Sequence, residues 1–384
     1  IEEKIKRGAD RVDVDNLEAE HLQAPEITGG YLLKIDRSDP GDSSFSAAGQ
    51  GSLNYVDPKG EEIRTVARDP QEQYIRNFLN EFGSALNGPN FRNPETGYAA
   101  YLDVDAAIDH HVLNVYAFNV DALRLSTHLH KPRNGKLTFG PLWDFDRALG
   151  STDGRDSNPR VWQNPPEVGT DFFTYNWWNR LFQDIDFWQK WIDRWEELRL
   201  THLSHTNIYR LIDELSGQVK NAQPRERQRW GISPRGGSYA TEITHMKNYQ
   251  RDRTTWIDSQ LVRPPVLSRQ TGQIDAGSTV TLTAANTIYY TLDGTDPRLP
   301  GGAISPAALI YSGPITINKN ARLIARALRP GHNLGPTTTA RSPWSGKMSA
   351  TYIVEMPKLE ISEIMYNPAP HSSNTYTNED FEFI

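Results

Sequence analysis

The feature that most constrains this chain is a change of period between Val112 and Phe139. Ile108, Val112, Leu113 and Tyr116 recur at helical spacing, whereas from Leu123 onward the apolar residues alternate. Leu123, Leu125, Thr127 and Leu129 share one face, and Arg124, Ser126, His128 and His130 share the other. Pro132-Arg133-Asn134-Gly135 reads as a turn with an Asn-Gly pair, and Lys136-Leu137-Thr138-Phe139 as the return strand. A hairpin turn fixes a register. With the turn centred on Asn134-Gly135, cross-strand partners have numbers summing to about 269. Asp144 then lies opposite Leu125 or Arg124, three or four positions from Asp121. At roughly 3.3 Å per residue, the two carboxylates stand on the order of 10 Å apart at one end of the hairpin. A phosphoryl group and its metal fit between them.

The return strand runs into Phe139-Gly140-Pro141-Leu142-Trp143-Asp144-Phe145-Asp146-Arg147-Ala148-Leu149-Gly150. Two carboxylates flank one aromatic residue after an apolar run that breaks at Gly140-Pro141. Hard Mg²⁺ or Mn²⁺ prefers carboxylate oxygens and keeps water and phosphate as its other ligands, so Asp144 and Asp146 are candidate metal ligands. The pattern is short, and an acidic turn is its ordinary alternative.

Totals narrow the function classes. The 384 residues exceed one average domain, so two or three are expected. A net charge of −7 argues against nucleic acid as the main partner. No apolar run approaches the roughly 18 residues of a membrane-spanning helix. Cysteine is absent, which excludes disulfides, thiolate metal sites and a cysteine nucleophile. Ile1-Glu2-Glu3-Lys4 has neither an initiator Met nor a signal peptide, and Phe381-Glu382-Phe383-Ile384 stops inside an apolar alternation. A fragment of a longer protein is the expectation.

Along the chain, Gly29-Gly30-Tyr31-Leu32-Leu33-Lys34-Ile35-Asp36 reads as a strand leaving a glycine turn, and Asn54-Tyr55-Val56-Asp57 as another. Asp69 at N-cap and Pro70 at N1 open a helix that Asn87-Gly88-Pro89 stops. Asp103 or Asp105 caps the next helix, on which the adjacent His110 and His111 point in different directions and make no joint metal site. Residues 171–260 are helical and rich in aromatics. Phe187, Trp188, Trp191 and Trp195, at helical spacing, suit a core better than a sugar platform. Arg225, Arg227, Arg229 and Arg235 form a basic cluster that reads as a solvated helix end rather than a phosphate contact. Arg263-Pro264-Pro265 marks a boundary, after which short alternating strands such as 279–283, 288–292 and 321–327 predict a small antiparallel sandwich.

Phosphoryl transfer needs a carboxylate for the acceptor, metal-binding carboxylates, and cations on the phosphates. Protein kinases place the base first, a hairpin next, and the metal-binding Asp after it. Asp121, the hairpin and Asp144-Phe145-Asp146 follow that order. The same residues carry a family resemblance. Asn119-Val120-Asp121, Ser126-Thr127-His128-Leu129-His130-Lys131, Gly135-Lys136-Leu137 and Gly140-Pro141-Leu142-Trp143-Asp144-Phe145-Asp146 resemble the spore coat protein H (CotH) kinase family. Glu3-Lys4-Ile5-Lys6-Arg7, Asp10-Arg11-Val12-Asp13 and Gly29-Gly30-Tyr31-Leu32-Leu33 extend the likeness. The resemblance implies an atypical protein-kinase-like fold and transfer of phosphate from ATP, with Mg²⁺ or Mn²⁺, to protein Ser or Thr. Asp121 then matches the catalytic Asp and Asp144 the metal-binding Asp, with Asp146 a second ligand or its support. Ser126 stands where protein kinases place a metal-binding Asn, and a hydroxyl is a weaker ligand. No glycine-rich phosphate loop is present; Lys34 and Lys4 are the candidates for a phosphate-binding Lys, with solvated lysines as the ordinary alternative.

Ile288-Tyr289-Tyr290-Thr291-Leu292-Asp293-Gly294-Thr295-Asp296-Pro297 resembles the β-sandwich at the C-terminus of chitobiase and β-hexosaminidase-type enzymes. Its Asp293 and Asp296 read as turn formers. Ile361-Ser362-Glu363-Ile364-Met365-Tyr366-Asn367-Pro368 looks like the start of a lamin-tail domain. The fold class expected is therefore α+β: a kinase-like core over 1–262, lacking its N-terminal strands, an immunoglobulin-like β-sandwich over 263–356, and a partial second β domain over 357–384. By analogy with such mosaics the protein is secreted or on the cell surface. The expected partner is a protein phosphoacceptor or cell-surface component. The alternative is a non-catalytic pseudokinase scaffold whose β-modules bind glycan or a protein.

Overall fold

The computed structural model describes residues 4–164 and 170–356. Gly30, at φ 93°, turns the chain where a Cβ would meet the Asp15 carbonyl at 2.7 Å. The apolar run after it becomes β1 (Tyr31–Ile35). Next come β2 (Ser44–Ala47), β3 (Gly51–Asp57) and a short α1 (Gly60–Ile63). The hairpin read from the period change is β4 (Thr127–Lys131) and β5 (Thr138–Leu142). These five strands form one antiparallel sheet in the order β2-β3-β1-β4-β5. Pairings Thr127↔Leu142, Leu129↔Phe139 and His130↔Thr138 keep the expected register to within one residue.

The alternation overreached at one end, because the strand begins at Thr127 and not at Leu123. Leu123 (φ 71°) and Ser126 (φ 49°) are left-handed, which takes the backbone out of the pleat. The Thr127 hydroxyl holds this turn, accepting the Leu123 N–H at 3.0 Å and donating to the Leu125 carbonyl at 2.9 Å. Leu123 is nonetheless fully buried, so its apolar character reported burial and not strand.

α2 (Asp69–Asn87) begins at Asp69 itself, with Arg68 at N-cap; Asp69 already has helical dihedrals. α3 (Val104–Ala117) is capped by Asp103, whose carboxylate accepts the Ala106 N–H at 3.0 Å. α4 (Asn176–Leu181), α5 (Ile185–Leu200), α6 (His205–Val219), α7 (Gln223–Trp230) and α8 (Tyr239–Gln260) complete this half. Trp177, Trp178, Trp188, Trp191 and Trp195 are buried, so the aromatic run is core. His111 sits among them: Trp191 Nε1 donates to its Nδ1 at 3.0 Å, and its Nε2–H donates to the Phe172 carbonyl at 2.8 Å. His110, next along α3, lies against Phe139 instead, and neither of its ring nitrogens finds a partner. From α8, the fully buried Arg253 donates to the Val115 carbonyl at 2.7 and 3.1 Å.

Between Arg263 and residue 356 the described elements are strands, apart from one 3-10 turn at Pro300–Gly302: β6 (Val266–Leu267), β7 (Gly272–Gln273), β8 (Ser278–Val280), β9 (Leu282–Thr283), β10 (Thr287–Thr291), β11 (Leu309–Ile310), β12 (Ile315–Ile317), β13 (Ala321–Leu328) and β14 (Met348–Ile353). A sheet in the order β11-β10-β13-β14-β7 and the small pairs β12-β8 and β6-β9 share one core, centred on Val280, Ile317, Leu323 and Tyr352. Asp293 forms a turn, as read from sequence, accepting the Thr295 N–H at 2.9 Å. Asp296 does more. The buried Arg326 on β13 donates to Asp296 at 2.6 and 2.7 Å and to Asp193 on α5 at 2.6 and 2.8 Å, bridging the two halves of the molecule.

Two predictions follow from this burial. Arg326→Ala and Arg326→Met both leave two carboxylates facing each other at the junction, so each should cost about 3–5 kcal/mol. Urea unfolding measures both, and a Met variant as stable as the wild type would mean that Arg326 contributes volume and not charge. The second concerns acid. Burial pushes His110 and His111 down to about 3, and burial with nearby Lys34 pushes His128 to about 4. The unfolded chain takes up protons near 6.5 that the fold refuses, so this stability is full above that pH and is lost as pH falls from it. Glu196, pushed up to about 7 by burial, opposes the trend, since the folded chain holds its proton longer. Three histidines outweigh it. His110→Phe should therefore stabilise modestly at pH 8 and more at pH 5; an equal gain at both would remove histidine titration as the cause.

Candidate functional site

α3 ends with Phe118 in the left-handed region at φ 52°, and the turn throws Asn119 and Asp121 toward the exit of β5. Backbone bonds stitch the two loops together: Leu149 N–H to the Ala117 carbonyl at 2.8 Å, and Val120 N–H to the Arg147 carbonyl at 3.5 Å. The fully buried Asn119 side chain spans them. Its Nδ2 donates to the Asn114 side chain at 3.2 Å and to the Asp144 carbonyl at 3.3 Å, while its Oδ1 accepts the Asp121 N–H at 3.4 Å. Ser126 Oγ donates to Asp144 Oδ2 at 3.2 Å. Asp144 itself has φ 60°. Of the seven non-glycine residues with positive φ among those described, Phe118, Leu123, Ser126, Asp144 and Leu149 lie in these loops. Strain of this density is kept only where the surroundings over-determine it, and it clusters where function does.

Around Asp121 stand three guanidiniums. Arg124 and Arg155 reach its Oδ1 at 2.7 and 3.2 Å, and Arg147 its Oδ2 at 3.7 Å. Arg155 also pairs with Asp153, and that hydrogen bond holds the Asp153 carboxyl below its ordinary range. Asp146 is pushed the other way, first by burial and then by the Asp144 carboxylate beside it. Two like charges held together two residues apart are what a bound cation would relieve. Among the described residues no cluster of three or more His, Asp or Glu is arranged to hold a metal ion. A Mg²⁺ or Mn²⁺ here would take Asp144 and Asp146 plus phosphate and water oxygens, which is how such ions are commonly held.

The candidate lysines divide. Lys34, on β1 and in register with His128, pairs with Asp42 at 2.8 Å and Asp39 at 3.2 Å; burial opposes its charge, but these carboxylates outweigh burial and raise its pKa. The structure thus ties Lys34 to its own β1–β2 connection. Lys4 lines a cleft of about 330 Å³ between residues 4–12 and 141–145, with Ile5, Val12, Trp143 and Asp144 on its walls. The arrangement brings together Asp121, Ser126, Asp144 and Asp146. Sequence reasoning missed Asn119 as the tie and Arg124 and Arg155 as the cations on Asp121. Asn119 was legible as a polar residue in the otherwise apolar stretch just after α3; nothing marked Arg155.

Paired carboxylates on either side of a hairpin, in this order, suit a kinase-like protein. A family model described as CotH kinase protein matches residues 9–257, so the chain belongs to the CotH kinase family. A second model, described as Fn3 associated, matches residues 279–341. That description, and not the chitobiase-type module of the sequence reading, is what the comparison supports for the β half. No curated protein matches the chain. The stretch resembling a lamin-tail domain lies outside the described residues.

Asp144→Asn removes the nearest like charge from Asp146 while keeping its shape. The Asp146 titration, followed by carboxyl-carbon NMR, should move down part of the way, because burial remains. An unmoved midpoint would show that the two carboxyls do not interact.

Proposed function

We propose that this chain is the core of a phosphotransferase that moves the terminal phosphoryl group of ATP to a Ser or Thr hydroxyl of a protein. The observation that carries the reading is the tie between the Asp121 and Asp144 loops through Asn119, with Ser126 on the Asp144 carboxylate. Asp121 Oδ1 is taken by Arg124 and Arg155, which leaves Oδ2, with only Arg147 at 3.7 Å, to face an acceptor hydroxyl. In this role Asp121 orients the hydroxyl and takes its proton as the oxygen–phosphorus bond forms and ADP departs. Mg²⁺ or Mn²⁺, when bound, supplies positive charge to the phosphate oxygens. Asp144 and Asp146 hold it, and Ser126 fixes the Asp144 carboxylate. Ile5, Val12 and Trp143 offer apolar walls for a base, with Lys4 near the phosphates. A secreted or cell-surface setting, and a protein acceptor found there, belong to the same proposal.

One observation favours a second reading, a non-catalytic scaffold whose β half binds a glycan or protein. Asp121 is ion-paired to Arg124 and Arg155, and Lys34 is committed to Asp39 and Asp42.

Transfer of labelled phosphate to protein by the full-length protein decides between them. Asp144→Ala should lower metal-dependent transfer about a hundredfold or more, and Asp121→Asn similarly. Full activity in the Asp144→Ala protein would retire the phosphotransferase assignment. Transfer absent from the wild type, with glycan binding retained, would favour the scaffold.

A further inference from the structure

α6 carries Ile208, Leu211, Ile212, Leu215 and Val219 at helical spacing, yet none of its residues is buried. Leu215 is 58 % exposed and Val219 44 %. This apolar stripe forms one wall of a groove of about 920 Å³; α8 supplies the opposite wall through Ile243 and Met246, and the loop 145–152 closes its inner end. Asp146 belongs both to this groove and to the carboxylate cluster, and Phe145 lines both the groove and the Lys4 cleft, so the groove opens onto the proposed phosphoryl site. Its walls are mostly apolar.

We propose that this groove seats the acceptor: a polypeptide segment with an aliphatic or aromatic side chain near its Ser or Thr. The inference rests on the phosphotransferase reading for the word acceptor, and on the groove's own chemistry for the peptide. The apolar anchor fills the space between Leu215 and Ile243, and the hydroxyl residue passes Asp146 toward Asp121. Continuity with the carboxylate cluster favours a peptide over a membrane surface, because a bilayer has nothing to present to Asp121.

A library of short serine peptides with randomised flanks, tested for binding by fluorescence anisotropy without ATP, examines this directly. Enrichment of Leu, Ile, Met or Phe near the serine is expected. Leu215→Lys, at an exposed position that does not threaten folding, should weaken the selected peptides about tenfold, as loss of one buried side chain predicts. A library without side-chain preference, or selected peptides indifferent to Leu215→Lys, would overturn the proposal. So would a dimer in sedimentation, or binding to phosphatidylserine vesicles that peptides do not displace, if Leu215→Lys abolishes either. Peptide binding in the groove without phosphate transfer by the full-length protein would fell the phosphotransferase reading and leave the groove.

Discussion

One buried guanidinium holds the place where the site begins. Arg253 reaches from α8 to the last turn of α3, where the Val115 carbonyl has lost its helical partner, and donates to it twice. The same group reaches the carbonyls of Pro159, Val161 and Trp162, and lies 4.6 Å from the Phe118 ring. Burial pushes its pKa down to about 10, so it stays charged at neutral pH. A buried charge is costly unless saturated with partners, and carbonyls at the negative end of a helix are suitable ones. The chain leaves that pinned turn through Phe118 and Asn119 and arrives at Asp121. The direction of the candidate base is therefore set by a residue far along the sequence on another helix.

Local charge in the site runs against the charge of the whole. The chain is acidic, at −7, yet Asp121 is ringed by Arg124, Arg147 and Arg155. Asp146, only a few residues along the other loop, gains a raised pKa from burial and from Asp144. One loop thus has more positive partners than carboxylates, and the other has more carboxylates than partners. An anion with a cation attached, such as a metal nucleotide, complements both at once. Net charge argued against nucleic acid as a main partner, but it carried no information about this division.

What was legible in the sequence follows the range of the interactions concerned. The hairpin register depends on a turn and a period, both local, and it came out within one residue. The aromatic run was legible as core because its helical spacing is local too. The start of β4 was not, because Leu123 is apolar through burial in a left-handed turn that a period of two imitates. Asp296 looked like a turn former, and it does accept the Arg298 N–H at 2.9 Å. Its second role, facing Arg326 with Asp193, joins residues too distant in sequence for any spacing to connect. Arg155 and Arg253 were silent for the same reason. Their partners are set by how helices pack, and a single Arg has no periodic signature.

The helix that joins the halves explains why the β module belongs in any account of the site. α5 turns Asp186, Asp193 and Glu196 outward to Arg298, Arg326 and Arg263, at 2.6, 2.6 and 2.9 Å. It turns Trp188, Trp191 and Trp195 inward, and Trp191 holds the His111 ring on α3. Only three positions separate His111 from Asn114, which bonds Asn119 directly. Each link is a close-packed or hydrogen-bonded contact, so α5 cannot shift on the β module without disturbing the helix that leads into the Asp121 loop. A buried ion pair contributes little net stability, but it discriminates strongly between one docking geometry and its neighbours. The Arg326 bridge is best understood in that sense: it selects the position of α5, and through His111 the position of α3.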